Sequence, residues 1–439
     1  MIFTSDNKTM ITIAEPFISK ENDFYFLKAK ISISENIAQN WINHSKKVPS
    51  AWKLYEDYPP KCWKDENFTF WFKVENEYSD FLCSDRADAF VVGLLYYAMC
   101  TGADIKSEAP VSERLLYKLN YELIPILCNE RTGYKRIRIF APKADAPYPN
   151  IGAVGTGMSC GVDSFSTLYK HCLADDMMDE YKLTHLTYFN MGAIFHPRGI
   201  SNKGRMPLDE MKKRLEEMAN EKLNNAKSVA KQVGLPLLYI ESNFDLDIYR
   251  GAYGYTAVYR NIAMVLAVQG LFGKYIHSTA GWPPNFFETS LETGSEHYEL
   301  LLFDCFGNGS VDIIPGGQEY TRLEKTKEII QEKLVQEKLD VCFNFNSCGH
   351  CQKCYRTLIT IEILGKLNSY SSIFDIEEYI QNRDFAYAWL IDAYKNNTDP
   401  FAQELYVVAK KKNLISARAY YIAMRKNVKR MIRHLLLRK

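Results

Sequence analysis

Eight consecutive residues, 157–164, carry the sequence GMSCGVDS at the end of an apolar, glycine-containing segment, 151–158. This pattern predicts a tight loop that joins a strand to a helix. Small residues let a ligand approach the backbone closely, and the unpaired amides at the start of a helix bind phosphate. Ser159 and Ser164 add hydroxyl donors, and Asp163 is compatible with a phosphate if it holds Mg²⁺. The segment predicts a phosphate-binding loop that is not a Walker motif, and the alternative is a tight turn without a ligand.

A second group of chemically reactive residues lies near position 350, where four cysteines fall within thirteen residues: Cys342, Cys348, Cys351 and Cys354. The CxxCxxC spacing folds three sulfurs onto one ion and a short loop returns the fourth, which predicts a tetrahedral Zn²⁺ site. Four sulfur ligands leave no open coordination position, so we expect the zinc to be structural. An iron–sulfur cluster and free core cysteines are the alternatives, and His350 is interpreted as a turn residue.

Other reactive residues have more than one interpretation. Cys160 is a candidate nucleophile, because a helix N-terminus lowers the pKa of a thiol. Asp304 and Cys305 follow the apolar, strand-like run LLF, and Cys305 is predicted to lie in the core. The polar segment 196–207 is predicted to be either an active-site lid or a solvated loop, and its candidate residues are His196, Arg198, Lys203 and Arg205.

The elements that position these residues follow from the hydrophobic pattern. After residue 150, predicted strands alternate with predicted helices, which favours an α/β fold with a parallel sheet covered by helices. The strands are predicted at 151–158, 184–190, 235–241 and 274–279, and the helices at 164–173, 209–233 and 255–271. Before residue 141, the pattern predicts strands at 24–34, 68–74 and 136–140 and a helix at 85–100 that ends near Gly102.

Three prolines within 141–150 predict a domain boundary, because proline interrupts both helices and strands. We therefore predict an N-terminal mixed α/β accessory domain at 1–148, a parallel-sheet domain with the four-cysteine zinc site at 149–365, and a helical C-terminal region at 366–439. The composition, 47% hydrophobic and 24% charged, excludes a disordered or coiled-coil chain. The sequence contains neither a predicted membrane span nor a secretory signal, so a soluble, cytoplasmic protein is expected, and its oligomeric state is left open.

The last 35 residues, 405–439, contain eleven Lys or Arg and no Asp or Glu, although the net charge of the whole chain is +1. Helical spacing places one apolar face among these cations, formed by Ala417, Tyr420, Tyr421, Met424, Val428, Met431, Ile432 and Leu435. Three interpretations remain open for this tail. It docks on the acidic body or on a partner protein, binds RNA or another polyanion, or lies on an anionic membrane surface.

The loop at 157–164 resembles the SGGxDS signature of the PP-loop ATP pyrophosphatases, which cleave ATP between the α and β phosphates. Four positions match, and Cys160 stands where the signature has glycine. Together with the CxxCxxC motif and Arg356 after it, the segment 150–365 resembles the 7-cyano-7-deazaguanine synthase family of queuosine biosynthesis. This resemblance implies a Rossmann-like, adenine nucleotide alpha hydrolase-like domain with a zinc knuckle.

The resemblance also implies an ATP-dependent ligase that uses ATP, Mg²⁺ and Zn²⁺. Its catalytic residues would be Ser159, Asp163, Ser164 and Arg260. The nucleotide would contact Ser159, Cys160, Gly161, Val162, Asp163, Ser164, Asn190, Arg260 and Asn261. A substrate carboxylate or carbonyl would attack the α-phosphorus, pyrophosphate would leave, and a nitrogen nucleophile would displace AMP. The substrate would be a carboxylated deazapurine or, in a specialised relative from an antiphage defence system, a macromolecule.

Other functions are compatible with the same motifs. A thiolation enzyme would need a persulfide-carrying cysteine, for which Cys160 and Cys172 are the candidates. A sugar amidotransferase and a nucleotide-binding subunit without turnover are further alternatives. The chain departs from the family in the spacing of Cys342 and Cys348, at the predicted strand tip 189–192 and in the AGWPP sequence at 280–284. Because these departures concern substrate-binding positions as well, phosphate chemistry is the firmer expectation.

Overall fold

A computed structural model of the chain describes residues 9–34, 36–45, 66–128, 133–193, 208–249, 253–280, 294–342 and 347–436. The strands within these residues are β1 (Met10–Ile13), β2 (Phe17–Glu21), β3 (Phe24–Ile33), β4 (Asn67–Glu75), β5 (Asp104–Ser107), β6 (Val111–Ser112), β7 (Ile139–Phe140), β8 (Lys143–Ala144), β9 (Ala153–Gly157), β10 (His185–Asn190), β11 (Leu237–Ser242), β12 (Phe272–Ser278) and β13 (Asp312–Gly316).

The helices of the described residues are α1 (Ile37–Ser45), α2 (Asp88–Thr101), α3 (Glu113–Lys118), α4 (Ile124–Leu127), α5 (Val162–Leu168), α6 (Leu208–Val233), α7 (Tyr253–Ala267), α8 (Glu299–Phe306), α9 (Arg322–Ile329), α10 (Lys333–Lys338), α11 (Gln352–Ile363), α12 (Ile376–Asn396), α13 (Phe401–Lys411) and α14 (Ala417–Leu436). A π-helical turn, Tyr169–Leu173, extends α5. None of the helices in these residues combines the length and apolar character that crossing a bilayer requires.

The predicted α/β architecture is confirmed, because eleven strands form one mixed sheet with helices packed on it. Five of these strands are mutually parallel and follow the order β11-β10-β9-β12-β13. In chain order this arrangement corresponds to 3-2-1-4-5, which is compatible with a Rossmann-like fold. The order reverses between β9 and β12, so a crevice is expected at the carboxyl ends of these two strands.

The N-terminal strands extend the same sheet. β4 pairs antiparallel with β11, and β3, β1, β5 and β7 follow outward from β4. Ion pairing between Lys73 and Glu241, and the hydrogen bond from Trp71 N to Asn243 Oδ1 at 3.0 Å, reinforce the β4–β11 junction. One hydrophobic core cluster includes residues from both halves. The sheet is therefore continuous across the boundary predicted at residue 148.

The C-terminal helices form a second core cluster together with α5 and α11. α14 packs on α12 through the buried residues Ala419 and Ala423. Four residues of the predicted apolar face are exposed: Tyr421 and Met424 at 53% and 57%, and Tyr420 and Val428. Small alanine side chains let two helices approach closely, whereas the larger side chains of the predicted face would hold them apart.

Two local predictions need correction. The predicted strand at 136–140 is reduced to Ile139–Phe140. The LLF run before Asp304 belongs to helix α8, not to a strand, because its apolar side chains continue a helical segment that starts at Glu299. Cys305 is buried as predicted. The predicted lid residues in 196–207 and most of 280–284 lie outside the described residues.

Candidate functional site

The loop between β9 and α5 lies at the carboxyl end of β9, next to the point where the strand order reverses. Gly161 is the N-cap of α5. The hydroxyls of Ser159 and Ser164 lie 3.3 Å apart, and Ser164 Oγ donates to the carbonyl oxygen of Gly161 at 3.0 Å. The loop thus gathers two hydroxyls and the first amides of a helix at one point, as the sequence pattern predicted.

Cys160 adopts a left-handed backbone conformation with φ of 58°. Its side chain is 1% exposed and belongs to the core beneath the loop. The carbonyl oxygen of Cys160 accepts a hydrogen bond from Asp340 N at 2.7 Å. Burial, reinforced by the nearby Asp340, raises the pKa of Cys160 to about 12. This thiol is therefore protonated at neutral pH, which argues against the nucleophile interpretation.

A pocket of about 380 Å³ opens in front of the loop. One part of its wall is apolar and aromatic and is formed by Tyr188, Phe189, Met191, Tyr253, Ala257, Val258 and Tyr275. The loop contributes Gly157, Met158, Ser159, Gly161, Asp163 and Ser164, whereas the side chain of Cys160 is absent from the lining. The cysteine at the signature's glycine position consequently leaves the pocket open.

Cations from α9 and α11 form a second part of the wall. Arg322 Nη1 lies 2.5 Å from Asp163 Oδ2, and Lys325 Nζ lies 3.7 Å from Asp163 Oδ1. Lys325 also donates to the Thr279 carbonyl oxygen at 2.7 Å, and its burial lowers its pKa. Burial, together with the positive charges of neighbouring arginines, lowers the pKa of Lys353 on α11 to about 8.

Local sequence explains why Arg322 reaches the pocket. Thr321 is the N-cap of α9 and forms a capping box with Glu324, which fixes where the helix begins. Arg322 is therefore the first helical residue, and α9 contacts α5. The capping motif TRLE is visible in the sequence, but nothing in it indicates that this helix approaches a loop about 160 residues earlier.

Carboxylates occupy the end of the pocket near β12 and α8. Glu299 is 4% exposed, and burial together with the negative charge of Glu296 raises its pKa to about 8. The pKa of Glu296 is also raised by burial. His277 lines the same end, and burial lowers its pKa to about 4, so its imidazole is neutral at physiological pH.

Arg260 requires a correction, because it does not line the pocket. Its side chain is completely buried and donates to Thr256 Oγ1 at 2.8 Å, to the Met191 carbonyl oxygen at 2.6 Å and to the Tyr249 carbonyl oxygen at 2.9 Å. Its Nη1 also lies 3.4 Å from Asp245 Oδ1. Since backbone and side-chain acceptors already use the guanidinium, Arg260 holds the tip of β10 in position and does not reach the pocket.

Of the other residues predicted to contact the nucleotide, some line the pocket and some do not. Asn261 lines the pocket, and its Nδ2 donates to the Ala257 carbonyl oxygen at 2.9 Å. Asn190 is outside the lining and donates to the Tyr239 hydroxyl at 3.2 Å. Val162 is buried in the core, so only its backbone amide is available to a ligand. Cys172 is also outside the lining, and burial raises its pKa.

The four predicted cysteine ligands converge. Their sulfur atoms all lie within 4.8 Å of one another. The measured separations are 4.0 Å for Cys342–Cys351, 4.0 Å for Cys348–Cys354 and 3.5 Å for Cys351–Cys354. Two thiolates that each lie about 2.3 Å from a tetrahedral Zn²⁺ are about 3.8 Å apart, so this set fits zinc.

The cysteine cluster adjoins the pocket. Cys342 lines the pocket directly, Asp340 holds the loop through the Cys160 carbonyl, and Lys353 lies between two of the cysteines in sequence. Arg356, one turn further along α11, pairs with Asp399 at 3.1 Å. A metal at the cluster would therefore fix the wall that carries Lys353.

Four pocket residues were not predicted as site residues, Arg322, Lys353, Glu296 and Glu299, and neither was Lys325, which lies beside Asp163. They lie 130 or more residues after the loop, so a single sequence gives no sign that they face it. Comparisons of the chain with protein-family models, curated proteins and solved structures found no match. The chemistry of the pocket is therefore derived from its own residues.

Proposed function

We propose that the pocket binds the phosphates of ATP and that the protein is an adenylating ligase. The observation that carries this proposal is the position of the β9–α5 loop, which lines one pocket together with Arg322 and Lys353. A helix N-terminus and two cations are the groups that proteins use to hold polyphosphates. The apolar and aromatic wall suits the planar base of the nucleotide or of a second substrate.

Asp163 belongs to the loop and faces two cations of α9. Its carboxylate pairs with Arg322 and lies near Lys325. A bare carboxylate would repel the phosphates, so Asp163 is the residue that would hold Mg²⁺, with Ser159 and Ser164 beside it. Bound Mg²⁺ would supply charge neutralisation at the phosphates, and Arg322 would then be released to contact phosphate oxygens.

In the proposed reaction, these groups hold the phosphates while the substrate is activated. A substrate carboxylate oxygen forms a bond to the α-phosphorus, and the bond from that phosphorus to the bridging oxygen breaks. Pyrophosphate leaves with the electron pair and is held by the amides of α5 and by Arg322. A nitrogen nucleophile then forms a bond to the activated carbon and AMP departs. The protein contributes positioning and charge stabilisation.

The resemblance to the 7-cyano-7-deazaguanine synthase family supports a carboxylated deazapurine as substrate, or a macromolecular carboxylate in a defence-related relative. Thiolation is less well supported, because the thiols of Cys160 and Cys172 do not line the pocket and burial raises the pKa of both. A binding subunit without turnover is distinguished from a ligase by whether AMP is formed.

The first test is nucleotide binding. Calorimetric titration with Mg²⁺ and α,β-methylene-ATP is expected to give saturable binding that weakens about 10-fold to 100-fold in Arg322→Ala, because a charge-assisted contact is lost. Lys327→Ala is the matched control, since Lys327 lies on the same helix and is exposed. Absence of binding to the wild-type protein, or equal losses in both variants, would refute the proposal.

The second test is turnover. Incubation with radiolabelled ATP and a series of carboxylated purine analogues is expected to release AMP and pyrophosphate, not ADP and phosphate. Nucleotide binding with no AMP from any carboxylate would favour the binding subunit over the ligase.

A further inference from the structure

Within the described residues, one face of the C-terminal helix α14 is exposed to solvent. The opposite face packs on α12 through Ala419 and Ala423, which are at most 2% exposed. Tyr421, Met424 and Val428 are 53%, 57% and 47% exposed, and their spacing of three and four residues places them side by side, away from the two alanines. These three residues form an apolar stripe, and apolar side chains that are exposed together mark an interaction surface.

Basic side chains border the apolar stripe. The flanking cations Arg425, Lys426 and Lys429 are exposed, and the guanidinium of Arg425 lies 5.8 Å from the centre of the Tyr421 ring. Within the described residues, none of these three cations has a carboxylate at ion-pair distance, whereas other basic residues of α14 do. The segment 405–439 contains eleven Lys or Arg and no Asp or Glu. The exposed face of α14 is therefore both apolar and positively charged, which complements an anionic partner.

The carboxylates of the protein itself do not cover this face. Arg418 Nε lies 3.6 Å from Asp384 Oδ2, and Arg430 Nη1 lies 3.8 Å from Asp392 Oδ1. Both carboxylates belong to α12, the helix that the two alanines already face, so docking on the chain's own acidic residues leaves the apolar stripe exposed. A second copy of the chain is a poor partner, because its α14 carries the same cations.

The apolar stripe distinguishes between two kinds of anionic partner, a polynucleotide and a lipid surface. A polynucleotide is held by cations and hydrogen-bond donors at its phosphates and by aromatic rings against its bases. Met424 and Val428 provide neither, whereas aliphatic side chains of this kind suit the boundary between lipid headgroups and acyl chains. In the sequence, the same apolar spacing continues to the end of α14 with Met431, Ile432 and Leu435.

We propose that the exposed face of α14 binds the surface of an anionic membrane. The helix lies parallel to that surface, with the apolar stripe at the acyl boundary and the flanking cations among the headgroup phosphates. Because the opposite face stays packed on α12, binding needs no separation of the helix from the body and brings the whole protein to the membrane. This inference does not depend on the proposed nucleotide site.

The membrane surface is tested by co-sedimentation of the full-length protein with vesicles. Vesicles of phosphatidylcholine alone are compared with vesicles of equal parts phosphatidylcholine and phosphatidylglycerol, at low and at physiological ionic strength. We expect the protein to bind the anionic vesicles, and to bind the neutral vesicles about 10-fold more weakly or less, because the cations lose their headgroup contacts. Added salt should weaken binding to the anionic vesicles by screening the same contacts.

Variants separate the apolar contribution from the charged one. Met424→Asp, and the double variant Arg425→Glu with Lys429→Glu, should each weaken binding to the anionic vesicles about 10-fold or more. Met178→Asp is the matched control for the apolar change, and Lys333→Glu on α10 is the control for the charge reversal, since both residues are exposed and lie outside α14. Both controls should bind as the wild type does. Circular dichroism establishes that each variant is folded before its affinity is compared.

Several outcomes overturn the proposal. One is that the wild-type protein binds neither kind of vesicle. Another is binding to anionic vesicles that Met424→Asp leaves unchanged, because the apolar stripe would then play no part. If fluorescence anisotropy shows binding of an RNA oligonucleotide by a protein that does not bind vesicles, the face serves a polynucleotide instead. If sedimentation velocity shows a wild-type dimer and a Met424→Asp monomer, the face belongs to a second copy of the chain.

Discussion

Two helices that line the pocket each carry an arginine, and the two arginines have opposite roles. Arg260 on α7 is completely buried, and its guanidinium is used by the Met191 and Tyr249 carbonyl oxygens and by Thr256. Arg322 on α9 lines the pocket, and its partner is Asp163, which lines the pocket as well. Arg322 is therefore accessible to a ligand in the pocket, whereas the hydrogen bonds of Arg260 are already used within the fold.

The two walls of the pocket also differ in their chemistry. The α7 wall provides shape through apolar and aromatic side chains, whereas the α9–α11 wall provides charge. The cysteine cluster lies at the charged wall and not at the apolar one. Clustered cations repel one another, so a metal bound at the cysteine cluster would stabilise the charged wall.

The largest effect on stability is expected from a change in the metal centre. Cys354→Ser is expected to abolish binding of one zinc ion per chain, measured by elemental analysis, and to destabilise the C-terminal core, because a structural zinc site contributes on the order of 10 kcal/mol in small zinc peptides. Cys172→Ser is the control, since Cys172 lies outside the cluster. Full zinc content and an unchanged unfolding midpoint in Cys354→Ser would contradict the assignment.

Replacing the buried arginine is expected to cost stability. In Arg260→Met, several buried acceptors lose a donor, and the free energy of unfolding measured in urea should fall by about 3–5 kcal/mol. Arg260→Lys should recover only part of this loss, because lysine cannot reach all of these acceptors at once. By contrast, Arg322→Ala should lower the free energy of unfolding by less than Arg260→Met does, because Asp163 keeps Lys325 nearby. A stable Arg260→Met protein that has lost nucleotide affinity would erase the distinction between the two arginines.

A smaller effect, on the pH dependence of stability, is expected from a change at Glu299. Its pKa of about 8 in the folded protein lies above the value of an unfolded glutamate, so the folded state retains a proton that the unfolded state loses. The stability of the wild-type protein should therefore fall as the pH rises from about 4.5 to about 8, and Glu299→Gln should reduce this slope. Thermal unfolding across this pH range measures the slope, and equal slopes in the two proteins would show that Glu299 is ionised in the fold.

The smallest effect is expected at the signature cysteine. In Cys160→Gly, relief of the left-handed backbone conformation and loss of a small buried side chain are each about 1 kcal/mol and oppose each other. Nucleotide affinity should stay within about threefold of the wild-type value, because the thiol is outside the pocket. A large gain in affinity, measured by the calorimetric titration, would mean that the thiol obstructs phosphate binding.

Much of this architecture was predictable from residue type and spacing. The β9–α5 loop and the four cysteines are local patterns whose geometry is fixed within a few residues, so their structure was expected correctly. The alternation of strands and helices after residue 150 also predicted the parallel part of the sheet.

The parts that were not predicted depend on contacts between distant segments. Arg322 and Glu299 line the same pocket as the loop because α9 and α8 both lie near the end of β12. For α14, the sequence pattern did not indicate that Ala419 and Ala423 are the residues buried against the neighbouring helix. The resemblance favoured Arg260, but a sequence motif does not reveal which acceptors surround a side chain.

The β4–β11 junction has a practical consequence for any attempt to divide the protein. A fragment that starts at residue 149 would expose the outer edge of β11, where Ile240, Glu241 and Ser242 now pair with β4. Bare strand edges recruit other chains and promote aggregation. β4 therefore covers this edge of the half that carries the pocket, and expression of that half requires at least the paired strands β3 and β4 to be kept with it.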